Sequence, residues 1–249
     1  MSDETRPVAG GARTAAVIPA AGRGVRLGPG APKALRALSG TPMLIHAVRA
    51  MAASRSVSLV VVVAPPDGAA EVKSLLADHA LPERTDFVVV PGGESRQESV
   101  KLGLDALPAG IDIVLVHDAA RPLVPVDTVD AVIEAVRDGA PAVVPALPLA
   151  DTVKEVVPTA DGTPEPVVAT PPRARLRAVQ TPQGFDHATL VRAHETVTDD
   201  VTDDAGMVEK LGLRVVLVPG HEEAFKVTRP LDLLLAEAVL ARRRANDGF

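Results

Sequence analysis

Short apolar runs alternate with longer amphipathic segments along most of the chain. The runs are rich in Val, Ile and Leu, as is typical of strands buried on both faces of a sheet. They predict strands over Ala15–Ile18, Leu59–Val63, Phe87–Val90, Ile111–Val116, Ala142–Ala146 and Arg214–Val218. The segments between and after them predict helices over Pro42–Ala53, Ala69–Ala77, Arg96–Ala106, Val126–Arg137, His187–Val197, Asp203–Leu211 and Thr228–Arg244.

This order of elements predicts the α/β fold class, with a mostly parallel sheet covered by helices on both faces. In such sheets ligands bind beyond the carboxyl ends of the strands. The polar and glycine-rich motifs described below follow strands or can fold back to that edge. We therefore expect the functional site there.

Residues 151–179 interrupt the alternation. This stretch is rich in proline and has short β-type patches around a turn at Asp161-Gly162, which predicts a β-hairpin arm that projects from the sheet. A two-stranded hairpin is only marginally stable alone, so we expect it to pack against a partner subunit. A long disordered loop is the alternative.

Composition narrows the possible classes of protein. The chain has 249 residues, a hydrophobic content of 47% and a net charge of −6, which predicts one folded domain over 14–249 and argues against non-specific nucleic-acid binding. There is no cysteine, so disulfides and thiolate chemistry are excluded. Residues 1–13 are polar and read as a flexible tail without the apolar core of a signal peptide. No apolar run approaches the roughly 20 residues that a transmembrane helix needs. We expect a cytoplasmic protein.

The stretch Pro19–Lys33 joins the first strand to the first helix and has the character of a phosphate-binding loop. Its glycines lack a Cβ, which lets backbone N–H groups approach a phosphate closely: Gly22, Gly24, Gly28 and Gly30. Arg26 and Lys33 add two positive charges. An ordinary connection is the alternative, but connections in α/β units usually run about 2–6 residues. Neither the P-loop pattern nor the short dinucleotide fingerprint matches this stretch.

Two more motifs follow predicted strands. In PGGESRQES, which begins at Pro91, Ser99 and the glycine backbone are suited to reading a base or ribose, while Ser95 is suited to capping the next helix. In HDAARP, which begins at His117, Asp118 is suited to a ribose hydroxyl or to a weak Mg²⁺ contact completed by nucleotide phosphates. A structural pair of Asp118 with Arg121 is the alternative. We expect His117 to be packed or hydrogen-bonded rather than a metal ligand.

Three later stretches have both a functional and a structural interpretation. The segment TPQGF from Thr181 either lines a substrate pocket or is a plain loop, and TDDA from Thr202 is adequately explained as a helix N-terminus. Lys226 lies within a short apolar run, which suggests a charge required in a pocket, although a lone lysine is usually a surface residue.

The glycine-rich loop PAAGRGVR…PK resembles that of nucleotidyltransferases that make nucleotide-sugars. The further motifs VPGGESRQESV, VHDAARP, ADTVK, QTPQGF, TDDA and FKVTRP are similar to those of the 2-C-methyl-D-erythritol 4-phosphate cytidylyltransferase family. The resemblance covers residues 14–240. It implies a Rossmann-like core, an arm that clasps a second subunit, CTP and methylerythritol phosphate as substrates, Mg²⁺ as cofactor, and release of pyrophosphate.

The resemblance also implies roles for individual residues. Arg26 and Lys33 match the cations on the triphosphate, whereas Lys226 and a partner's Arg173 match those that position the acceptor phosphate. The nucleotide-binding residues would be Pro19, Ala20, Ala21, Gly22, Gly24, Gly92, Gly93, Ser99, Asp118 and Ala119. The acceptor-binding residues would be Asp118, Thr152, Arg173, Thr181, Thr202 and Lys226. Leu27, Ala34 and Pro172 depart from the family pattern, and Pro172 bears on the geometry of the arm.

Two other functions remain open at this point. A ribitol 5-phosphate cytidylyltransferase would share nearly every motif, because the same cations would hold either polyol phosphate. A non-catalytic nucleotide-binding module would be expected to lack Lys33 or Lys226, and both are present. An NAD-dependent enzyme is excluded by the long cationic loop.

Overall fold

A central eight-stranded sheet organises the chain. The computed structural model describes residues 12–22, 32–160, 163–198 and 201–247. The strands are β1 (Thr14–Pro19), β2 (Ala37–Leu38), β3 (Thr41–Pro42), β4 (Val57–Ala64), β5 (Asp86–Pro91), β6 (Ile113–Val116), β7 (Ala142–Pro148), β8 (Glu155–Val156), β9 (Val167–Ala169), β10 (Arg177–Val179), β11 (Gln183–Asp186) and β12 (Val215–Pro219). The helices are α1 (Met43–Ala53), α2 (Ala69–Ala77), α3 (Arg96–Asp105), α4 (Val126–Arg137), α5 (His187–Thr196), α6 (Asp204–Lys210) and α7 (Pro230–Asp247).

The predicted strands and helices are confirmed, with ends that agree within three residues. Strands β5, β4, β1 and β6 are neighbours and run parallel, and β12 runs parallel to β7 at the other end of the sheet. The sheet is therefore mostly parallel, as predicted. The carboxyl ends of these parallel strands lie along one edge.

The interpretation of TPQGF as a loop was wrong for its second half. Strand β11 lies between β6 and β7 and is antiparallel to both. Strand β10 pairs with the end of β7 and β11 with its beginning, so the two form one interrupted strand along β7. The interruption contains the cis peptide bond between Thr181 and Pro182.

Alternate residues of the strands pack into two hydrophobic cores. In β1, Ala16 and Ile18 face the core under α1, α2 and α4, whereas Ala15 and Val17 face the core under α3, α5 and α6. A smaller core joins α7 to the body of the protein. Helices therefore cover both faces of the sheet, which fixes the loops at its carboxyl edge.

Strands β8 and β9 pair antiparallel within the segment predicted as an arm. The predicted hairpin is thus confirmed, while the turn at Asp161-Gly162 and the tail up to residue 11 lie outside the described residues. Val167 and Val168 of the arm are 56% and 59% exposed. Its role in dimer formation stays a prediction.

Helix α3 lies unusually close to the sheet at Gly103. A Cβ at Gly103 would lie 2.5 Å from Cγ1 of the fully buried Val17. We expect Gly103→Ala to lower the free energy of unfolding by about 1–3 kcal/mol, because the added methyl overpacks a filled core. Urea denaturation measures the change. Gly68→Ala is the matched control, since its nearest neighbour would be 3.5 Å away. Equal stability of both variants with the wild type would contradict this packing.

Candidate active site

A cleft of about 290 Å³ opens at the carboxyl edge of the sheet. Its walls come from loops that follow β1, β5 and β6 and from the segment after β12. The predicted residues that line it are Pro19, Ala20, Ala21, Gly22, Lys33, Gly93, Ser99, Asp118, Ala119 and Lys226. The predicted Gly24 and Arg26 lie outside the described residues. The cleft thus gathers motifs that are far apart in the sequence.

Backbone hydrogen bonds between neighbouring strands hold the loops of the cleft in place. Ala20 donates its N–H to the carbonyl of Val63 at 2.8 Å, and Gly92 donates to that of Ala64, also at 2.8 Å. These bonds tie the loops after β1 and β5 to the end of β4. The glycine-rich turn therefore starts from a rigid support.

The turn after β5 combines a helix cap with close packing. The Ser95 hydroxyl accepts the N–H of Glu98 at 3.0 Å and caps α3, which confirms the predicted capping role. The Ser99 hydroxyl accepts the N–H of Gly93 at 3.2 Å. A Cβ at Gly92 would lie 2.9 Å from that hydroxyl, so this turn requires glycine at position 92. Gly92 supports the turn from behind, and Gly93 and Ser99 face the cleft.

Three positively charged side chains lie within 4 Å of the carboxylate of Asp118 in the cleft. Its Oδ2 is 2.8 Å from Nζ of Lys226 and 3.6 Å from Nε of Arg121, and its Oδ1 is 3.8 Å from Nε of Arg96. Burial by itself would raise the pKa of Asp118, but Lys226, Arg96 and Arg121 outweigh it and lower the pKa to about 2. The carboxylate is therefore ionised at neutral pH, and the alternative pair of Asp118 with Arg121 is also present.

Lys226 is directed to Asp118 by its own backbone neighbours. Arg121 donates from Nη1 to the carbonyl of Ala224 at 2.7 Å, and Val227 donates its N–H to the carbonyl of Ala120 at 2.8 Å. The chain on both sides of Lys226 is thus fastened to the loop that carries Asp118. Lys226 is accordingly a residue of the cleft rather than a lone surface lysine.

The chain matches the family model of IspD, 2-C-methyl-D-erythritol 4-phosphate cytidylyltransferase, over residues 14–242. The chain belongs to this family. The curated protein of that name from Streptomyces avermitilis is 89% identical and aligns over 100% of both chains. The one from Frankia casuarinae is 56% identical, covering 92% of this chain and 82% of the relative.

Solved structures with the same fold support membership of the IspD family. The 4-diphosphocytidyl-2C-methyl-D-erythritol synthase from Anaerococcus prevotii superposes with a TM-score of 0.77 at 27% identity, over 93% of this chain and 100% of that one. The 2-C-methyl-D-erythritol 4-phosphate cytidylyltransferase from Thermus thermophilus gives 0.69 at 36% identity, over 90% and 97%. The Rossmann-like fold with its arm is therefore confirmed for this IspD family member.

Several predicted acceptor-binding residues lie away from the cleft in this IspD family member. Thr152, Arg173 and Thr202 are exposed and lie outside the described lining of the cleft. Arg173 belongs to a short 3-10 turn and donates to the carbonyl of Ala150. Their contact with an acceptor stays a prediction. For Arg173, that contact would also require the arm of a partner subunit.

Thr181 is buried and bonds to the loop that carries Asp118. Its hydroxyl accepts the N–H of Asp118 at 3.0 Å and lies 3.0 Å from Nδ1 of His117. The Nε2 atom of His117 lies 3.1 Å from the carbonyl of Arg121, so Nε2 carries the hydrogen and Nδ1 accepts from Thr181. His117 is thus a hydrogen-bonded core residue, as predicted. The same bonds give Thr181 a positioning role, and its direct contact with substrate stays a prediction.

Burial lowers the pKa of His117 to about 4. Between pH 6.5 and 4 the unfolded chain binds a proton at this histidine that the folded chain does not, so stability is lost as the pH falls through this range. We expect protonation of His117 in the unfolded chain to make the free energy of unfolding about 2 kcal/mol lower at pH 5 than at pH 7.5.

Urea denaturation of the wild type and of His117→Gln at both pH values measures this loss. The variant should show a pH dependence smaller by that amount. His79→Gln is the control, because His79 lies just after the end of α2 and is only partly buried. An unchanged pH dependence in His117→Gln would disprove the assignment.

Sequence reasoning missed Arg96, Gln183 and Asp204. Gln183 donates to Asp203 at 2.7 Å and accepts the N–H of Ala205 at 3.1 Å, which fastens the start of α6 to β11. The only sequence signal for Arg96 was its place in the motif after β5. Its partners are distant in the chain, so the fold alone reveals them.

Proposed function

We propose that this chain transfers the cytidylyl group of CTP to 2-C-methyl-D-erythritol 4-phosphate and releases pyrophosphate, a step of the non-mevalonate isoprenoid pathway. The observation that carries the proposal is that Lys33 and Lys226 line the same cleft as the glycine turns after β1 and β5, in a member of this family. Two groups of cations in one cleft suit a reaction between two phosphorylated substrates.

The reaction follows from bringing two anions together. A phosphate oxygen of the acceptor attacks the α-phosphorus of CTP and forms a new O–P bond. The bond from that phosphorus to the β-phosphate oxygen breaks, and its electron pair leaves with pyrophosphate. The second pKa of a phosphate monoester is about 6, so the attacking group is largely ionised at neutral pH and needs no general base.

The protein's contribution is positioning and charge neutralisation. Lys33 would contact the triphosphate from the β1 side of the cleft, and Arg26 would supply a second positive charge to it. Lys226 would hold the acceptor phosphate, with Asp118 keeping its ammonium group in place. The turn at Gly92, Gly93 and Ser99 would read the cytosine.

The carboxylates that line the cleft suit a divalent cation that binds together with the nucleotide. Glu94 and Asp118 are the carboxylates in its described lining, and Asp118 is already contacted by three cations. The described part of the chain has no group of three or more His, Asp or Glu residues that could hold a metal. Mg²⁺ prefers oxygen ligands and keeps several waters, so the phosphates of CTP would be its main ligands and Asp118 at most one more. When bound, Mg²⁺ neutralises phosphate charge.

A homodimer forms part of the proposal. The exposed valines of the arm and the exposed Arg173 would lie against the partner, so that each cleft receives Arg173 from the other subunit. None of the described helices has both the length and the low polarity needed to cross a bilayer. The cytoplasmic location expected from the sequence stays a prediction.

Pyrophosphate release in the presence of CTP and Mg²⁺ tests the function. 2-C-methyl-D-erythritol 4-phosphate and ribitol 5-phosphate are offered in parallel at equal concentration. We expect turnover with the methylerythritol phosphate. Preference for ribitol phosphate would replace the acceptor but keep the mechanism, and no release with either would contradict cytidylyl transfer.

A further inference from the structure

Arg96 links the cleft to a buried acidic residue behind it. It is the first residue of α3, and its Nη1 lies 2.7 Å from Oδ2 of Asp204 while its Nε lies 3.8 Å from Oδ1 of Asp118. The guanidinium group therefore bridges two carboxylates, one in the loop after β6 and one at the start of α6. A fork of fixed donors makes arginine suited to such a bridge.

Asp204 is held in a fixed position beside Arg96, because it is buried and both of its carboxylate oxygens accept hydrogen bonds. It is the first residue of α6 and is 1% exposed. Its Oδ1 accepts from Nε2 of His194 on α5 at 3.0 Å. Burial would raise the pKa of Asp204, but His194 and Arg96 outweigh it, so the carboxylate is held ionised beside Arg96.

The distances define how the cations share Asp118. Arg96 lies closer to Asp204 than to Asp118, and Lys226 holds the close position on Asp118 at 2.8 Å. If Asp204 lost its charge, Asp118 would become the nearest carboxylate for Arg96. Arg96 would then compete with Lys226 for Asp118, and the ammonium group of Lys226 would no longer be fixed.

We propose that Arg96, Asp204 and His194 form a chain of positioning residues that keeps Lys226 paired with Asp118 and so sets the affinity for the acceptor phosphate. This inference rests on the proposed function. Nothing in the chain of contacts requires His194 or Asp204 to touch a substrate. They act through Arg96.

Steady-state kinetics of Asp204→Asn with varied acceptor tests the proposal. We expect the KM for the acceptor to rise about tenfold, the scale of one lost charged hydrogen bond, and kcat to change much less. Arg96→Lys should raise the same KM, since a lysine cannot bridge both carboxylates. This second variant, at a partly exposed position, decides the question if Asp204→Asn fails to fold.

His194 offers a matched pair of variants. His194→Phe keeps an aromatic ring but removes the donor to Asp204, whereas His194→Gln keeps an N–H donor. We expect the phenylalanine variant to raise the KM for the acceptor and the glutamine variant to restore it. Arg192→Gln, on the exposed side of the same helix, is the control and should leave the KM unchanged.

Thermal melts separate positioning from loss of folding. A raised KM in variants that melt like the wild type supports the proposal, and so does rescue by glutamine. An unchanged KM in folded Asp204→Asn and Arg96→Lys would overturn it, as would equal kinetics of His194→Phe and His194→Gln. Wild-type enzyme that turns over neither acceptor would instead reject the proposed function.

Discussion

Lys33→Ala should lower kcat by at least about 100-fold, the scale seen when one preorganised charge donor is removed from a reacting centre. Lys33 begins a short 3-10 turn after the glycine-rich loop and lines the same cleft as the turn after β5. In the proposed reaction it neutralises the charge that develops on the triphosphate. The side chain is partly exposed, so its removal leaves the core intact.

Initial rates at saturating CTP and acceptor measure the effect of Lys33→Ala. Lys73→Ala is the matched control, because Lys73 is an exposed lysine on α2 and is not among the described residues that line the cleft. It should have wild-type kcat. Near-wild-type turnover of Lys33→Ala would disprove the proposed role of this residue.

Combining two inactive variants in one dimer should restore activity. We expect Arg173→Ala and Lys226→Ala each to lower kcat/KM at least about 100-fold, because each removes a cation from the acceptor phosphate. A mixed dimer of the two has one cleft with its own Lys226 and the arm of the partner with Arg173 intact. By symmetry the other cleft lacks both cations, so the mixed dimer should have about half the wild-type turnover.

Co-expression with two different affinity tags allows the mixed dimer to be purified. Arg175→Ala is the control for Arg173→Ala, since both side chains are exposed on the same 3-10 turn. It should be active without any partner. A mixed dimer as inactive as its parents would contradict the supply of Arg173 across the dimer.

The elements that the sequence could predict are those whose own side chains determine them. Strand β6 and most of β4 consist of valine, isoleucine and leucine that are buried on both faces, so the pattern identifies them directly. Strand β11 has no such pattern, because it reads Gln-Gly-Phe-Asp. It is a strand because β6 and β7 pair with it and because Gly184 fits against Val132, where a Cβ would lie 2.5 Å from a methyl group.

The start of helix α7 also differs from what the sequence pattern predicts. The sequence predicted a helix that starts at Thr228, whereas α7 begins two residues later, at Pro230. Asp232 accepts the N–H groups of Thr228 and Arg229 at 2.7 and 2.8 Å. A carboxylate in the first turn thus reaches back to the N–H groups of the residues before the helix, as in a capping box.

In the candidate site the sequence predicted the residues that belong to motifs. Lys33, Asp118 and Lys226 were identified in this way and meet in the cleft. The contact of Arg96 with Asp204 spans 108 positions of the chain, and no local pattern records it. Such contacts follow from the packing of α3, α5 and α6 on one face of the sheet.

Identification of the reaction product by phosphorus NMR tests the central claim most directly. Wild-type enzyme is incubated with CTP, Mg²⁺ and 2-C-methyl-D-erythritol 4-phosphate, with a parallel sample that contains ribitol 5-phosphate. The account predicts loss of the acceptor's phosphomonoester signal and the appearance of two coupled diphosphate signals together with pyrophosphate in the first sample. Persistence of the phosphomonoester signal there, with or without product from ribitol phosphate, would contradict it.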